Sequence, residues 1–436
     1  MRYITSLLGA SALAAASTAA AQTAPAAPPF RPDRTAEDYS FLRDPARRGD
    51  WSDAYKFIPF DEGGSAYLSL GGEMRERVES FEAPRFGLSG GSADTYVLHR
   101  VLVHADLRVG PAVRIFAQLG AHEAFGKGAL NPPDEDRLDV HQLFLELRPA
   151  SGLSARFGRQ EMMFNPLQRF VSFRDGTNVR QNFDGGRVTY SRGPLRLEAF
   201  LTRPVILERG TFDNVRDRDQ QFAGVYAAHE LGRQGASSIH AYWFVLDRET
   251  LPAGALSGRE RRHSVGLRFS GTRGRFDWDA EGVYQFGDSV GRDIDAWALS
   301  ADLGYSIAGA SLRPRFGLRF DAGSGDDDPA DQAVGGFHPL FPSGPYFNEA
   351  NVTSWTNLVA LRPSPAPPAQ RAPDPARRRP VQMARRRRRC SLSRSQRTAG
   401  RDTVQSGERD RPGLHARREL SGQSEPRLAR LLSASQ

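Results

Sequence analysis

The sequence predicts an all-β protein, an antiparallel transmembrane β-barrel of the outer-membrane type. Three observations lead to this fold class: an export signal, alternating apolar and polar residues over long segments, and tight turns that alternate with long polar loops. We divide the chain into a signal peptide (1–21), a periplasmic lead-in (22–64), the barrel (65–360) and a disordered, arginine-rich C-terminal tail (361–436).

The N-terminus has the layout of a secretory signal. Arg2 is followed by an apolar run rich in Leu and Ala, and three alanines, Ala19–Ala21, precede Gln22. This run is short for a membrane helix, and no second apolar run of about 18 residues follows it. We therefore predict export, with a polar, proline-rich lead-in before the first strand.

The segment from Tyr67 to Ser80 shows the alternation most clearly, because apolar and charged residues fall on opposite faces of an extended chain. The apolar face holds Leu68, Leu70, Met74 and Val78, and the polar face holds Ser69, Glu73, Arg75, Arg77 and Glu79. Comparable segments recur up to Gly323, and they predict roughly thirteen strands.

Such strands are also compatible with a soluble β-sandwich, in which the polar face meets water. Segment lengths near the roughly 9–11 residues that a tilted strand needs to cross a bilayer favour the barrel. The connections agree, because the tight turn Arg108–Ala112 contrasts with long polar loops predicted at Leu251–Arg262 and Gly323–Asn348. Aromatic residues near strand ends, such as Tyr67 and Tyr96, match the aromatic girdles of membrane barrels.

The formal charge of +8 is distributed unevenly along the chain. Residues 361–436 contain 19 Arg, no Lys and six acidic residues, so they carry +13 and the preceding chain carries −5. All 42 aromatic residues precede residue 361. The basic character belongs to the tail, and we predict no nucleic-acid binding. The one cysteine, Cys390, excludes an intrachain disulfide.

Several segments of the body resemble the alginate-export family of Gram-negative outer-membrane proteins. The segment Tyr67–Arg77 resembles the opening strand of that family, and the most specific stretch runs from Gly158 to Gly185. Three further segments match: Arg261–Arg268, Glu281–Gly287 and Gly336–Pro342. The resemblance covers about residues 66–364.

The resemblance implies an eighteen-stranded barrel whose arginine-lined interior passes an anionic, alginate-like polysaccharide across the cell outer membrane. With about thirteen strands, the barrel of this chain is expected to be incomplete. Arginine suits such a path because it pairs with carboxylates through two parallel hydrogen bonds. Strand parity puts eight candidates on the polar face: Arg75, Arg77, Arg100, Arg114, Arg187, Arg268, Arg315 and Arg319. Each has the alternative role of neutralising a wall carboxylate.

The most specific matching stretch predicts a loop that folds inward to constrict or plug the barrel. Its candidate residues are Arg159, Arg169, Arg174, Asp175, Arg180 and Asp184. The same loop is compatible with a position outside the barrel, as an external cap.

No motif indicates an enzyme: the nine histidines are scattered, and none belongs to a zinc-protease HExxH motif. The acidic run Asp326–Asp328 is compatible with bound Ca²⁺, although a solvated loop also accounts for it. We predict no catalytic residue, metal or cofactor. A general porin for small solutes remains the alternative with the same fold, and an outer-membrane hydrolase the alternative from another class. Expected partners are the polysaccharide, outer-membrane lipid, the barrel-assembly machinery and periplasmic export proteins.

After Ser364 the chain loses aromatic residues and strand alternation, and arginine runs such as Arg385–Arg389 appear. A polybasic arm for nucleic acid or anionic lipid is one explanation. We favour a reading-frame shift near Ser364, because out-of-frame translation of GC-rich DNA yields Arg, Pro, Ala and Ser. On this hypothesis the first strand lacks a closing partner, and the product inserts poorly and is degraded. Translation of the other two frames tests it.

Overall fold

The computed structural model describes residues 30–83, 93–165, 167, 169–232, 236–253, 256–307, 314–328, 331–347 and 353–366. The predicted signal peptide and the part of the predicted tail from residue 367 onward lie outside these residues. Short helical turns precede the sheet at Arg34–Ala36, Ser40–Arg43, Pro45–Arg47 and Asp53–Lys56 (α1), and one follows most of it at Gly344–Tyr346. In the described part of the chain, no helix combines the length and the apolar character needed to cross a bilayer.

One sheet of 17 strands contains nearly all the regular structure. The strands are β1 (Ile58–Pro59), β2 (Ala66–Phe81), β3 (Asp94–Val109), β4 (Val113–Phe125), β5 (Asp136–Ala150), β6 (Leu153–Gln160), β7 (Phe183–Arg192), β8 (Leu195–Ile206), β9 (Val215–Arg216), β10 (Gln220–Leu231), β11 (Ser237–Ala253), β12 (Leu256–Arg273), β13 (Phe276–Ser289), β14 (Arg292–Ser306), β15 (Arg315–Gly323), β16 (Ala333–Val334) and β17 (Leu358–Ala366).

The long strands form an antiparallel meander in chain order, from β2 through β8 and β10 to β15 and β17. Thirteen strands of eight residues or more begin before Gly323, which is the number that the alternation predicted. The fourteenth, β17, runs six residues past the predicted barrel boundary at residue 360, because Leu358–Ala366 continues the antiparallel pairing with β15. No described residue pair joins β17 to β2, so the sheet does not close, as expected for an incomplete barrel.

The connections at the two ends of the strands differ in length. At one end the turns are short, and Gly110, between β3 and β4, supplies the left-handed backbone (φ +59°) that such a turn requires. At the other end lie the longer connections, including residues 161–182 and 324–357. Short turns mark the periplasmic end of an outer-membrane barrel, and long loops mark the extracellular end.

The predicted polar loop Leu251–Arg262 is instead an extension of two strands. β11 continues to Ala253 and β12 begins at Leu256, with Pro252 opposite Ser257. Polar side chains do not prevent strand pairing where the hairpin extends beyond the lipid, and composition alone therefore misled the prediction.

Polarity is inverted across the sheet relative to a soluble protein. We call the face with Arg100 and Asp106 the inner face and the face with Val103 and Val109 the outer face. On β3 the inward side chains of Arg100, Asp106 and Arg108 are at most 8% exposed, whereas Val103 and Val109 are 50% and 48% exposed. A soluble sandwich would bury the apolar face, so this arrangement fits a sheet whose outer face meets lipid.

Depth in the lipid should decide how the outer face tolerates charge. We expect Leu267→Lys, in the middle of β12, to lower the free energy of unfolding by about 2–4 kcal/mol, because the ammonium would lie near the bilayer midplane. Val109→Lys, beside a short turn, should cost only about 0–1 kcal/mol. Urea unfolding in phospholipid vesicles measures both, and equal losses at the two positions would contradict a membrane-spanning orientation.

Candidate functional site

The eight arginines predicted for the polar face all lie on strands with their side chains on the inner face. Most of them contact a carboxylate there. Arg114 holds Asp106 through two parallel bonds, Nε to Oδ1 at 2.7 Å and Nη2 to Oδ2 at 3.0 Å. Arg268 binds Asp279 in the same way, and Arg315 lies between Asp277 and Asp302. The alternative role, neutralisation of a wall carboxylate, therefore accounts well for the most buried arginines.

Arginines nevertheless outnumber carboxylates in several of these contacts. Four inner-face carboxylates are each shared by two arginines: Glu146 by Arg148 and Arg156, Glu198 by Arg187 and Arg196, Glu260 by Arg248 and Arg262, and Asp321 by Arg319 and Arg362. The opposite ratio also occurs, because Arg100, Arg169 and Arg315 each contact two carboxylates. Positive charge is thus in local excess at the four shared carboxylates, although residues 1–360 as a whole are acidic.

The connection between β6 and β7, residues 161–182, crosses the interior of the sheet. At one side Arg169 is fully buried and lies 2.8 Å from Asp279 and 2.7 Å from Glu281, both on the inner face of β13. Its Nε also donates to the hydroxyl of Tyr346 at 2.8 Å. Tyr242, on β11, donates to the same Glu281. This end of the crossing segment is therefore held by a desolvated ion cluster.

The other side of the crossing segment contacts β2 and β3. Arg75 donates to the carbonyl oxygens of Asp175 and Thr177, each at 2.7 Å, and Arg77 donates to the carbonyl of Gly176. Arg100 binds the Asp175 carboxylate at 2.8 Å. The loop therefore contacts inward side chains from β13 to β2.

Asp175 and Glu73 are shared by four cations. Arg100 and Arg180, both about 1% exposed, contact both carboxylates, whereas Arg75 reaches only Asp175, at 3.9 Å, and Arg34 only Glu73, at 4.0 Å. Burial by itself would raise the pKa of the Asp175 carboxyl, but Arg180 and Arg100 hold it below its usual range. The carboxyl of Asp175 therefore stays ionised.

A second segment, residues 331–347, also enters the interior and joins the first. Ser172 donates its backbone N–H to the Phe341 carbonyl, and Phe341 donates to the Phe170 carbonyl, each at 2.9 Å. Aromatic side chains pack between the two segments and the wall: Phe164, Phe170, Phe183, Phe200, Phe222, Phe244, Phe337, Phe341 and Trp355. An apolar core therefore occupies part of the interior, and it fixes the paired segments to β8, β10 and β11.

Arg174 differs from the other loop arginines. Its backbone has a left-handed φ of +56°, and its Nε donates to the Pro342 carbonyl at 3.3 Å. Among the described residues no ion pair is formed by its guanidinium, and burial lowers its pKa below the ordinary arginine value. This cation is thus held by the fold without local neutralisation.

Two of the six predicted constriction residues lie elsewhere. Arg159 belongs to β6 and Asp184 to β7, where they form a cross-strand ion pair at 2.9 Å. Strand alternation turns the neighbouring Gln160 and Phe183 inward and therefore turns Arg159 and Asp184 to the outer face. The prediction erred because the matching stretch was treated as one loop, although its two ends are strands.

The alternation also missed a buried polar group at the base of the crossing segment. A β-bulge on β5 shifts the register at Gln118, so both His141 and Gln142 face inward. His141 Nε2 lies 2.8 Å from Glu161, the first residue after β6. Burial raises the pKa of Glu161 to about 8. A strict period of two cannot reveal such a bulge. In the sequence, only the polar composition of this segment hinted at a buried polar group.

A cavity of about 1000 Å³ is a concavity of the outer face and not a passage. Apolar residues of β7 to β14 line most of it, including Val225, Trp243, Val265 and Leu267. In the part of the chain that the structure describes, no group of three His, Cys, Asp or Glu residues is arranged to hold a metal ion.

A family model described as alginate export matches residues 66–366. The chain belongs to the alginate export family. Membership and the outward apolar face assign this family member to the outer membrane, as a channel protein. Among curated proteins, the search found no matching relative.

Solved porin structures resemble this member of the alginate export family only distantly. Pseudomonas aeruginosa OpdO shares 14% identity, with 60% of this chain and 65% of that chain covered and a TM-score of 0.42. OccK2 (OpdF) of the same organism, solved in complex with glucuronate, shares 14%, covering 63% and 66%, with a TM-score of 0.39. For Acinetobacter baumannii OccAB1 the values are 14%, 62% and 68%, and 0.40. The chain thus spans less than two thirds of the first two structures.

The ion cluster at Arg169 should be the strongest attachment of the crossing segment. We expect Arg169→Met to lower the free energy of unfolding by about 3–5 kcal/mol, because Glu281 would remain buried and charged without its partner. Arg209→Met removes a cation that is 53% exposed and 3.4 Å from Glu135, and it should cost at most about 1 kcal/mol. Urea unfolding compares them, and a loss at Arg169 no larger than at Arg209 would refute the attachment.

Glu161 should make stability depend on pH. In the folded chain its carboxyl stays protonated up to about pH 8, whereas its ordinary pKa is 4.5. The unfolded chain therefore releases this proton first, and the free energy of unfolding should fall as pH rises from 4.5 to 8, by up to about 1.4 kcal/mol per pH unit. Glu161→Gln should flatten that slope, whereas Glu62→Gln, at an exposed site, should not. An unchanged slope in Glu161→Gln would contradict the assignment.

Proposed function

We propose that this outer-membrane channel passes an anionic polysaccharide of the alginate type along the arginine-rich inner face. The observation that carries the proposal is a local ratio of charges: four carboxylates on that face are each shared by two arginines. Groups that only neutralised each other would pair one to one. A local excess of fixed cations instead attracts a polyanion, and low-dielectric walls strengthen that attraction.

The arginines divide by exposure into two groups with different expected roles. Arg100, Arg114 and Arg268 are at most 4% exposed and are committed to carboxylates, so they support the wall. By contrast, the side chains of Arg75, Arg77 and Arg362 remain 22%, 32% and 32% exposed. We assign the second group to contact with the polymer. Their fork-shaped guanidinium groups match the uronate carboxylate, which a point charge such as lysine would hold less specifically.

Arg75 and Arg77 are also held in position by the crossing segment. Their guanidinium groups donate to the carbonyls of residues 175–177 at 2.5–2.7 Å. Each guanidinium also has a carboxylate nearby, Asp175 at 3.9 Å from Arg75 and Glu79 at 2.7 Å from Arg77. Because the backbone acceptors orient the side chains, less rotamer freedom is lost when a carboxylate binds. A carboxylate arriving from the aqueous interior would therefore meet preorganised cations.

A general porin for small solutes is the second candidate. One observation favours it: two segments of the chain cross the interior and are tied together at Phe170–Phe341, which narrows the space available to a polymer. This candidate predicts conductance that responds to small ions but is not blocked by oligo-uronates.

Block by an oligo-uronate in planar bilayers separates the two candidates. We expect Arg75→Gln/Arg77→Gln to weaken block by about tenfold, equivalent to about 1.4 kcal/mol, because two charge-assisted contacts are lost. The matched control is Arg259→Gln/Arg261→Gln, which removes the same charge from outward arginines that are 58% and 52% exposed. It should leave block unchanged.

Two results would count against polymer passage. The first is conductance without any block by oligo-uronates in the unmodified protein, which would favour the small-solute porin. The second is equal weakening in the inner and outer double variants, because that outcome would attribute block to overall charge and not to the inner face.

A further inference from the structure

The geometry points to an interfacial anchor outside the strands: we propose that Trp51, Tyr55 and Phe60 insert into the lipid–water interface of the periplasmic leaflet. These three side chains belong to the segment before β2 and are 84%, 55% and 62% exposed. The proposal does not rest on the polysaccharide function. It requires only that the outer face of the sheet meets lipid.

Aromatic residues already form a row on the outer face at the short-turn end of β13 to β15. Phe276 lies opposite Tyr305, and Tyr305 lies opposite Phe316 on the next strand. The Phe276 and Tyr305 rings are 5.0 Å apart, and Phe316 is 55% exposed. Rows of this kind mark the membrane interface of outer-membrane barrels, where amphipathic rings are most stable.

The corresponding row on β2 to β5 contains no aromatic residue. Its members are paired in register beside the same set of short turns: Ala66, Val109, Val113 and Leu147. All four are aliphatic, so within the described strands the girdle is interrupted on this side of the sheet.

The segment before β2 supplies aromatic rings at this interruption. Ile58 pairs with Leu68 and Pro59 with Tyr67, and the Phe60 N–H donates to the Ala66 carbonyl at 2.9 Å. Phe60 therefore extends the aliphatic row by one position, next to Ala66. Alternation along β1 places Phe60 on the outer face, because Phe57 packs against the inward ring of Tyr67 at 4.6 Å.

Trp51 and Tyr55 extend the same exposed surface. Their rings contact each other edge to face at 6.3 Å, and Tyr55 lies on α1, directly before β1. Water is a poor environment for three large exposed rings within ten residues, whereas the headgroup layer accommodates both the apolar ring and the polar N–H or O–H. The continuity of Phe60 with the lipid-facing row identifies that layer as the occupant.

Fluorescence quenching by brominated lipid tests this placement in the full chain. The protein is refolded into vesicles of phosphatidylcholine with or without brominated acyl chains, and each tryptophan's contribution is obtained by difference from its Phe variant. Trp51→Phe reports the proposed anchor, Trp297→Phe an outer-face residue that is 48% exposed, and Trp355→Phe an interior residue that is 1% exposed. A Trp51→Phe/Phe60→Trp variant places the probe in the row itself.

We expect brominated lipid to lower the contributions of Trp51, Trp297 and a tryptophan at position 60 by about twofold, and to leave that of Trp355 unchanged. Iodide in the water should quench Trp51 only weakly. If Trp297 is quenched by brominated lipid while Trp51 and the probe at position 60 respond only to iodide, the segment lies in the periplasm and the anchor is wrong. If Trp297 is not quenched either, the outer face does not meet lipid. The membrane-spanning orientation and the proposed anchor are then both wrong.

Discussion

Hydrocarbon offers no partner for a backbone N–H or C=O group, and this constraint governs the whole molecule. It requires each long strand to find its hydrogen bonds in a neighbour, which a meander from β2 to β17 provides strand by strand. The same constraint favours the inner face for the charged side chains of the wall. Once there, these charges are partly removed from water, and they in turn require partners of opposite sign.

The crossing segment between β6 and β7 meets much of that second requirement. Arg169 neutralises Glu281 on one wall, while Asp175 neutralises Arg100 on the opposite one. The segment is thus stabilised by the charges that the inverted sheet creates, and it compensates wall residues that would otherwise be buried alone. Its carbonyl oxygens also accept hydrogen bonds from Arg75 and Arg77. Neutralisation of buried wall charges and orientation of the more exposed arginines therefore come from the same loop.

The strands and their facing could be predicted from the sequence because a period of two is a direct consequence of the pleat. By this rule the eight candidate arginines fall on the inner face, which is where their side chains lie in the structure. The rule fails where the backbone departs from it, as at the bulge that turns both His141 and Gln142 inward. The rule also does not predict which strand a loop residue will contact. The pairing of Arg169 with Glu281, 112 positions away, could therefore not be predicted. Arg159 and Asp184 were misplaced because a shared motif does not reveal where a strand ends.

The bridge between Val171 and Phe341 has a mechanical consequence. Two segments that leave the wall at distant points are joined by backbone hydrogen bonds and a common aromatic core, so they behave as one partition across the interior. Displacing either segment would break the hydrogen bonds that both share. Fluctuation of one loop alone is therefore an unfavourable way to open the channel. Opening the interior at this point would therefore require both segments to move together.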